Sequence, residues 1–226
     1  MIVLVSLVPL YIFIARQVSS RALHAPALPL DDRWPLIPAW ALVYGSLYLF
    51  LIVLPVFVVR QPEHIRRTVF AYLMVWTTAY ICFLIYPTVA PRPPHISGQG
   101  FGFWGLEFLY AADPPYNCFP SLHVAHSFVS AFTCYRVHRR LGVGATIAAG
   151  LVGVSTLFTK QHYVLDVIAG VLLAGVAYIL LLRKVPTEDV PELDRRLAPV
   201  LAFLTIGIVC VGFGAYWIAF LLNIHA

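Results

Sequence analysis

Ser155-Thr156-Leu157-Phe158-Thr159-Lys160-Gln161-His162-Tyr163-Val164-Leu165-Asp166-Val167-Ile168-Ala169-Gly170 joins two apolar runs, yet holds Lys160, His162 and Asp166 at its centre. Ionisable groups at or near bilayer depth are costly to hold there, so they point to function by default. If the second helix begins near His162, that residue and Asp166 stand four apart, one above the other on one face. The carboxylate then holds one imidazole nitrogen and leaves the other free as base or nucleophile. A snorkelling lysine beside an interfacial histidine would explain the same residues taken singly. The rest of the chain separates the two readings.

Of the 226 residues, 61% are hydrophobic and 11% charged, where soluble domains carry about 25% charged residues. Several apolar runs reach the roughly 20 residues that cross a bilayer as helix, and the weak alternating segments of a transmembrane barrel are absent. The expected architecture is all-α: one integral membrane domain over residues 1–226, polytopic and helical. The formal charge of +5 lies in short clusters between apolar runs, which is a topology signal and not a nucleic-acid-binding face. Cys82, Cys118, Cys134 and Cys210 lack metal-type spacing and imply neither disulfides nor a zinc site.

Ile2 to Ala15 reads as a short first span, with Ala25 and Ala27 as the small residues a cleaved leader would require. Asp31 and Asp32 precede the second span, about 37–59, and read as a solvated helix start close to a possible head-group contact. Span three, about 68–88, ends at the prolines of Tyr86-Pro87-Thr88-Val89-Ala90-Pro91-Arg92-Pro93-Pro94. A long loop follows, whose Phe101 to Tyr110 aromatics suit the membrane interface. Span four opens at Phe119-Pro120-Ser121-Leu122-His123 and closes at Arg136 to Arg140. Span five, about 143–158, steps Ala145, Ala149 and Gly153 into a close-packing seam. Span six runs over about 162–182. A polar linker with Glu188 to Arg196 leads to span seven, about 198–222.

Alternate connections carry ten basic residues on one side (Arg60, Arg66, Arg67, Arg136, Arg139, Arg140, Arg183, Lys184, Arg195, Arg196) and five on the other. The ten belong in the cytoplasm. Arg92, Ser121, His123, Lys160, His162 and Asp166 then share the outer side and can converge. That set suits phosphoryl transfer. Arg92 offers a fork and Lys160 a point charge; Ser121 and the N-terminus of span four add donors. His162, oriented by Asp166, attacks phosphorus. His123 protonates the departing alcohol and then deprotonates the acceptor.

These residues resemble the type 2 phosphatidic acid phosphatase superfamily, related to the vanadium haloperoxidases. Its pattern of Lys-x6-Arg-Pro, Pro-Ser-Gly-His and Ser-Arg-x5-His-x3-Asp is met by Arg92-Pro93, Pro120-Ser121-Leu122-His123 and Ser155-x6-His162-x3-Asp166. Ile85, Leu122 and Thr156 stand where the family has Lys, Gly and Arg. The resemblance covers about residues 68–182. It implies a six-helix core, here with one additional C-terminal helix, and no cofactor or metal. It also implies a lipid phosphate or phospholipid substrate and His162 as nucleophile with His123 as acid/base; the basic-residue tally adds the expectation of a site facing the exterior of the plasma membrane. Lys160-Gln161-His162-Tyr163 and the Asp31 to Pro38 approach are similar to the inositol phosphorylceramide synthase branch, which passes a phospho-head-group to a lipid alcohol.

Two other classes compete. A metal-dependent hydrolase would use His123, His126, His162 and Asp166 as ligands, against repulsion from Arg92 and Lys160. A transporter would place polar residues along several spans and carry an internal repeat; here the polar groups sit at the outer ends and no repeat is visible.

Overall fold

The computed structural model describes residues 7–187 and 190–224. Among them are eight α-helices: α1 (Val8–Val18), α2 (Trp40–Val58), α3 (Pro62–Ile85), α4 (Phe101–Ala112), α5 (Leu122–Val137), α6 (Arg139–Phe158), α7 (Val164–Leu180) and α8 (Glu192–Ile224). No strand occurs among the described residues; isolated bridges pair His24 with Thr88 and Val89 with Tyr116. Five helices, α2, α3, α6, α7 (to Lys184) and α8, are long and apolar enough to cross a membrane. The all-α bundle expected from the sequence is therefore the fold of the chain.

At the centre is α5, 16 residues long and enclosed by the longer helices. Leu122, Ala125 and Val129 face one core with Val75, Ala79 and Phe83 of α3 and Ala174 and Ala177 of α7. Ala131, Cys134 and Val137 face a second core with Leu51, Leu54 and Val58 of α2, Ala149 and Val152 of α6, and Ala198 of α8. A helix buried on all sides cannot leave its polar groups unpaired. Ser127 Oγ accordingly donates to the His123 carbonyl at 2.7 Å, and Ser130 Oγ pairs with the Tyr72 hydroxyl at 2.6 Å. The outward faces are apolar, with Phe70, Ile147, Leu172, Phe203 and Val211 exposed as lipid-facing side chains must be.

Small residues bring the helices together. Ala145, Ala149 and Gly153 are buried along α6, as the four-residue seam predicts. At Gly170 of α7 an added Cβ would stand 2.7 Å from the Ser121 carbonyl oxygen and 3.1 Å from Val124 Cβ. Only glycine allows the start of α5 to lie so close to α7.

Three boundaries differ from the sequence reading. The interfacial loop contains a helix, α4, stabilised by an aromatic cluster: Phe101 lies 4.5 Å from Trp217 and Trp104 4.2 Å from Tyr216 of α8, ring centre to ring centre. Arg66 and Arg67 belong to the first turns of α3, where each meets Glu63 at 2.6 Å. Glu192 to Arg196 likewise open α8 and are not linker. The first segment is helical through Val18; residues 1–6 and the linker residues 188–189 lie outside the described part.

Candidate active site

The turn between α6 and α7 is built from local hydrogen bonds. Lys160 adopts the left-handed conformation, φ 54°, just past the end of α6. Its N–H bonds the Leu157 carbonyl at 3.2 Å, and the Gln161 N–H bonds the Thr156 carbonyl at 2.9 Å. This pair of bonds stops the helix and satisfies its last carbonyls. Helix α7 then starts with two borrowed acceptors. Asp166 Oδ2 reaches back to the Tyr163 N–H at 2.9 Å, as a third-position acid does at a helix start. Asp31 Oδ1 accepts from the Val164 N–H at 2.8 Å, while its Oδ2 accepts from Leu28 N at 2.7 Å. Asp31 is thus a buried cap supplied from 133 residues away, not a solvated helix start.

The turn leaves His162 just outside α7, buried, with Nδ1 3.4 Å from Asp166 Oδ2. Ser121 caps α5: its Oγ accepts from Val124 N at 3.3 Å, and its N–H donates to the Asp166 carbonyl at 3.0 Å. That backbone bond ties the two helix starts together. It sets His123 Nδ1 3.2 Å from His162 Nε2. The edges of Tyr44 and Tyr48, one turn apart on α2, meet the His123 ring at 5.4 and 5.1 Å. Because His162 Nδ1 faces a carboxylate, it carries the hydrogen, and Nε2 accepts from His123 Nδ1; the partners assign this tautomer. The nitrogen of His162 that is not held by Asp166 is the one with a lone pair.

Arg92 reaches the pair from the segment between α3 and α4. Its guanidinium lies 4.4 Å over the Tyr110 ring and donates to the Tyr110 carbonyl at 3.3 Å and to Gln161 Oε1. Tyr110 in turn donates its hydroxyl to the Thr159 carbonyl at 2.8 Å. Burial raises this phenol to about 12, with Arg92 opposing, so it stays protonated and remains a donor. Thr88 Oγ1 ties the two sides of the loop by accepting from Cys118 N at 3.0 Å and Phe119 N at 3.1 Å.

Of the six residues singled out from the sequence, Arg92, His123, His162 and Asp166 converge. Ser121 is close, but its hydroxyl is engaged as the helix cap. The Lys160 ammonium donates to the Asp31 carbonyl at 3.4 Å, toward the entry of α2. His126, one turn below His123, packs on Tyr72 at 4.4 Å between ring centres. Among the described residues, the group whose ligand atoms approach within 4.8 Å is Cys118, His162 and Asp166, not the set with His123 and His126. Burial pushes the Cys118 thiol up and so keeps it protonated, a poor metal ligand.

Sequence reasoning missed Gln161 and Asp113. Asp113 follows α4; its Oδ2 stands 3.9 Å from Arg92 Nη2 and 4.0 Å from His123 Nε2, and its Oδ1 accepts from the Tyr11 hydroxyl at 2.8 Å. No spacing links a lone acid after an aromatic run to histidines on other helices.

Two known proteins are similar to parts of this chain. A PA-phosphatase related-family protein of Dictyostelium discoideum is 27% identical over 118 residues, 47% of this chain and 21% of that protein. An uncharacterized protein of Methanocaldococcus jannaschii is 30% identical over 95 residues, 42% of this chain and 39% of that one. The chain thus spans well under half the length of these relatives, and no solved structure matches it significantly. The model of the PAP2 superfamily matches residues 24–180, a stretch that holds every residue of the histidine site except Tyr11, and the chain belongs to that superfamily.

Proposed function

We propose that this protein is a metal-independent membrane lipid phosphatase or phosphotransferase that cleaves a lipid phosphate ester through a phosphohistidine on His162. The observation that carries the reading is the run from Asp166 through His162 to His123, at 3.4 and 3.2 Å. Superfamily membership supports a phosphatase-type activity on lipid phosphates. A phosphoryl group enters between the two rings, which must part, since near-attack geometry needs reacting atoms about 3–3.5 Å apart. The lone pair of His162 Nε2 attacks phosphorus, His123 gives its proton to the leaving oxygen, and Arg92 neutralises the equatorial oxygens. The excess of basic residues on the opposite loops supports a reaction at the outer face of the membrane.

Transfer to a lipid alcohol in place of water, as in the inositol phosphorylceramide synthase branch, is favoured by a specific observation. Two apolar cavities flank α2. One of about 460 Å³, against α3, is lined by Tyr48, Ile52, Val69 and Trp76; the other of about 350 Å³, against α4 and α8, is lined by Tyr44, Leu49, Phe108 and Phe213. Tyr48 lines the first cavity and Tyr44 the second, and both pack on His123, which gives room for a donor and an acceptor lipid. The purified protein is offered phosphatidic acid and a phosphodiester lipid, each with and without diacylglycerol or ceramide. Release of inorganic phosphate identifies hydrolysis, and a new phospholipid identifies transfer. Release of neither, with no labelled protein from a radioactive phosphoryl donor, excludes both.

A further inference from the structure

The histidine pair has two far ends, and only one belongs to a motif. Beyond His162 stands Asp166; beyond His123, at Nε2, stands the Asp113 carboxylate, 4.0 Å away. We propose that Asp113 is the positioning residue of His123, holding it in the form that donates a proton to the leaving oxygen. The proposal rests on the phosphohistidine reading above.

Three features support it. Asp113 sits inside the site: its side chain is 16% exposed, like that of His123. One carboxylate oxygen is fixed by the Tyr11 hydroxyl, so the other is aimed at His123 and Arg92. Finally, the hydrogen order is constrained. His162 Nε2 accepts, so His123 Nδ1 donates, and a neutral His123 would turn a bare Nε2 toward a carboxylate. An imidazolium instead presents Nε2–H to Asp113 within ion-pair range. When phosphate occupies the Arg92 fork, Asp113 Oδ2 is left with His123 alone.

The proton balance then closes. The Nε2 lone pair of His162 forms the N–P bond as the P–O bond breaks. The leaving oxygen takes that electron pair and the Nδ1 proton of His123. His123, now neutral, keeps its Nε2–H toward Asp113 and exposes a basic Nδ1. That nitrogen removes a proton from water or a lipid alcohol, whose oxygen attacks phosphorus. The N–P bond breaks back to His162, and His123 is again an imidazolium.

The test compares leaving groups, using the full chain in nanodiscs. Phosphatidic acid has an alkoxide leaving group that needs an acid; p-nitrophenyl phosphate has one that does not. Asp113→Asn, which keeps an oxygen for Tyr11, is expected to lower kcat on phosphatidic acid about 10²-fold with little change in KM, within the range for lost acid catalysis. On p-nitrophenyl phosphate it is expected to give a stoichiometric burst of nitrophenol and then a slow phase, because only phosphoenzyme breakdown still needs His123. Asp113→Glu recovers part of the loss. The proposal is overturned if Asp113→Asn retains wild-type kcat, if it changes KM alone (as a partner of Arg92 only would), or if both substrates slow equally without a burst. Failure of the underlying reading looks different: the wild type turns over neither of these substrates nor a phosphodiester lipid offered with diacylglycerol or ceramide, or His162→Ala matches it, and both ideas then fall.

Discussion

The turn at residues 159–163 and the segment at 86–121 face each other across the histidine pair, and they are held in opposite ways. In the turn, the N–H groups of Thr159, Lys160, Gln161 and His162 all bond carbonyls of Ser155, Thr156 or Leu157, within six residues. The segment has α4 and is otherwise held by ties between residues distant in sequence: Thr88 to Cys118 and Phe119, Ala90 to Pro115, Val89 to His24, Asp113 and Asn117 to Tyr11, Arg92 to Gln161, Tyr110 to Thr159, and aromatic packing on α8. A nucleophile has to be fixed within fractions of an ångström, and short-range hydrogen bonds do that without help from elsewhere. The cation and the acid's partner come from the segment whose position depends on remote packing. Local stability is not uniform in proteins, and parts that admit a substrate come from its low end. Under the proposed function, the covalent step falls to the turn, and admission and charge to the segment.

Breaking the turn's chemistry gives the largest effect. His162→Ala removes the attacking nitrogen, and lipid phosphatase turnover is expected to fall by at least about 10⁴-fold, the scale of losses when a covalent nucleophile is deleted. No phosphoenzyme should be trapped from a radioactive donor. Wild-type rates in this variant would reject the whole site. Asp166→Asn comes next. The amide oxygen that still accepts from Tyr163 N–H is the one that faces His162 Nδ1, but it no longer carries the negative charge that stabilises a positively charged imidazole, and a loss of about 10²–10⁴-fold in kcat is expected, on the scale of a triad carboxylate replaced by its amide. The melting temperature should change little, which separates this outcome from unfolding of α7.

On the segment side, Arg92→Lys keeps the charge but loses the fork and the flat face that rests on Tyr110. Its expected effect is smaller, about 10- to 100-fold in kcat/KM, from a loss comparable to one charge-assisted hydrogen bond at about 1.5–3 kcal/mol. Titration of kcat/KM against substrate, beside thermal melts, checks it. An effect as large as that of Asp166→Asn would mean that the segment is as tightly coupled to the chemistry as the turn, and the contrast would fail.

What could be read from the amino-acid order follows the same division. His162 and Asp166 are legible because helical spacing is local; Ser121, expected as a donor to phosphate, is found as the cap that accepts from Val124 N–H. The convergence of Arg92 with the histidines is legible because alternating basic loops fix which helix ends share a side. Asp31 on Val164, Gln161 on Arg92, and Asp113 beside His123 are not, since each pair is joined only by packing across the bundle. Helix α4 is hidden for the same reason: Gly102 and Gly105 weaken its own propensity, and its aromatic partners lie more than a hundred residues on, in α8.

Lys160 gives the smallest expected effect and the sharpest test of the comparison. Two roles meet in this residue, a positive charge near the phosphate site and a left-handed φ of 54° that terminates α6. Its ammonium donates to the Asp31 carbonyl, so the backbone role is the one with visible partners. Glycine adopts that φ without steric cost, whereas a side chain pays about 1–2 kcal/mol there. Lys160→Gly therefore keeps the turn while deleting the charge, and kcat/KM is expected to stay within about threefold of wild type, near the few tenths of a kcal/mol of a screened, partly exposed charge. Lys160→Val deletes the same charge and strains the turn, so it should lose more than the glycine variant in both melting temperature and kcat. If instead the two variants fall together by more than tenfold, the charge and not the backbone is what the turn contributes at this position, and Lys160 joins Arg92 as a phosphate ligand.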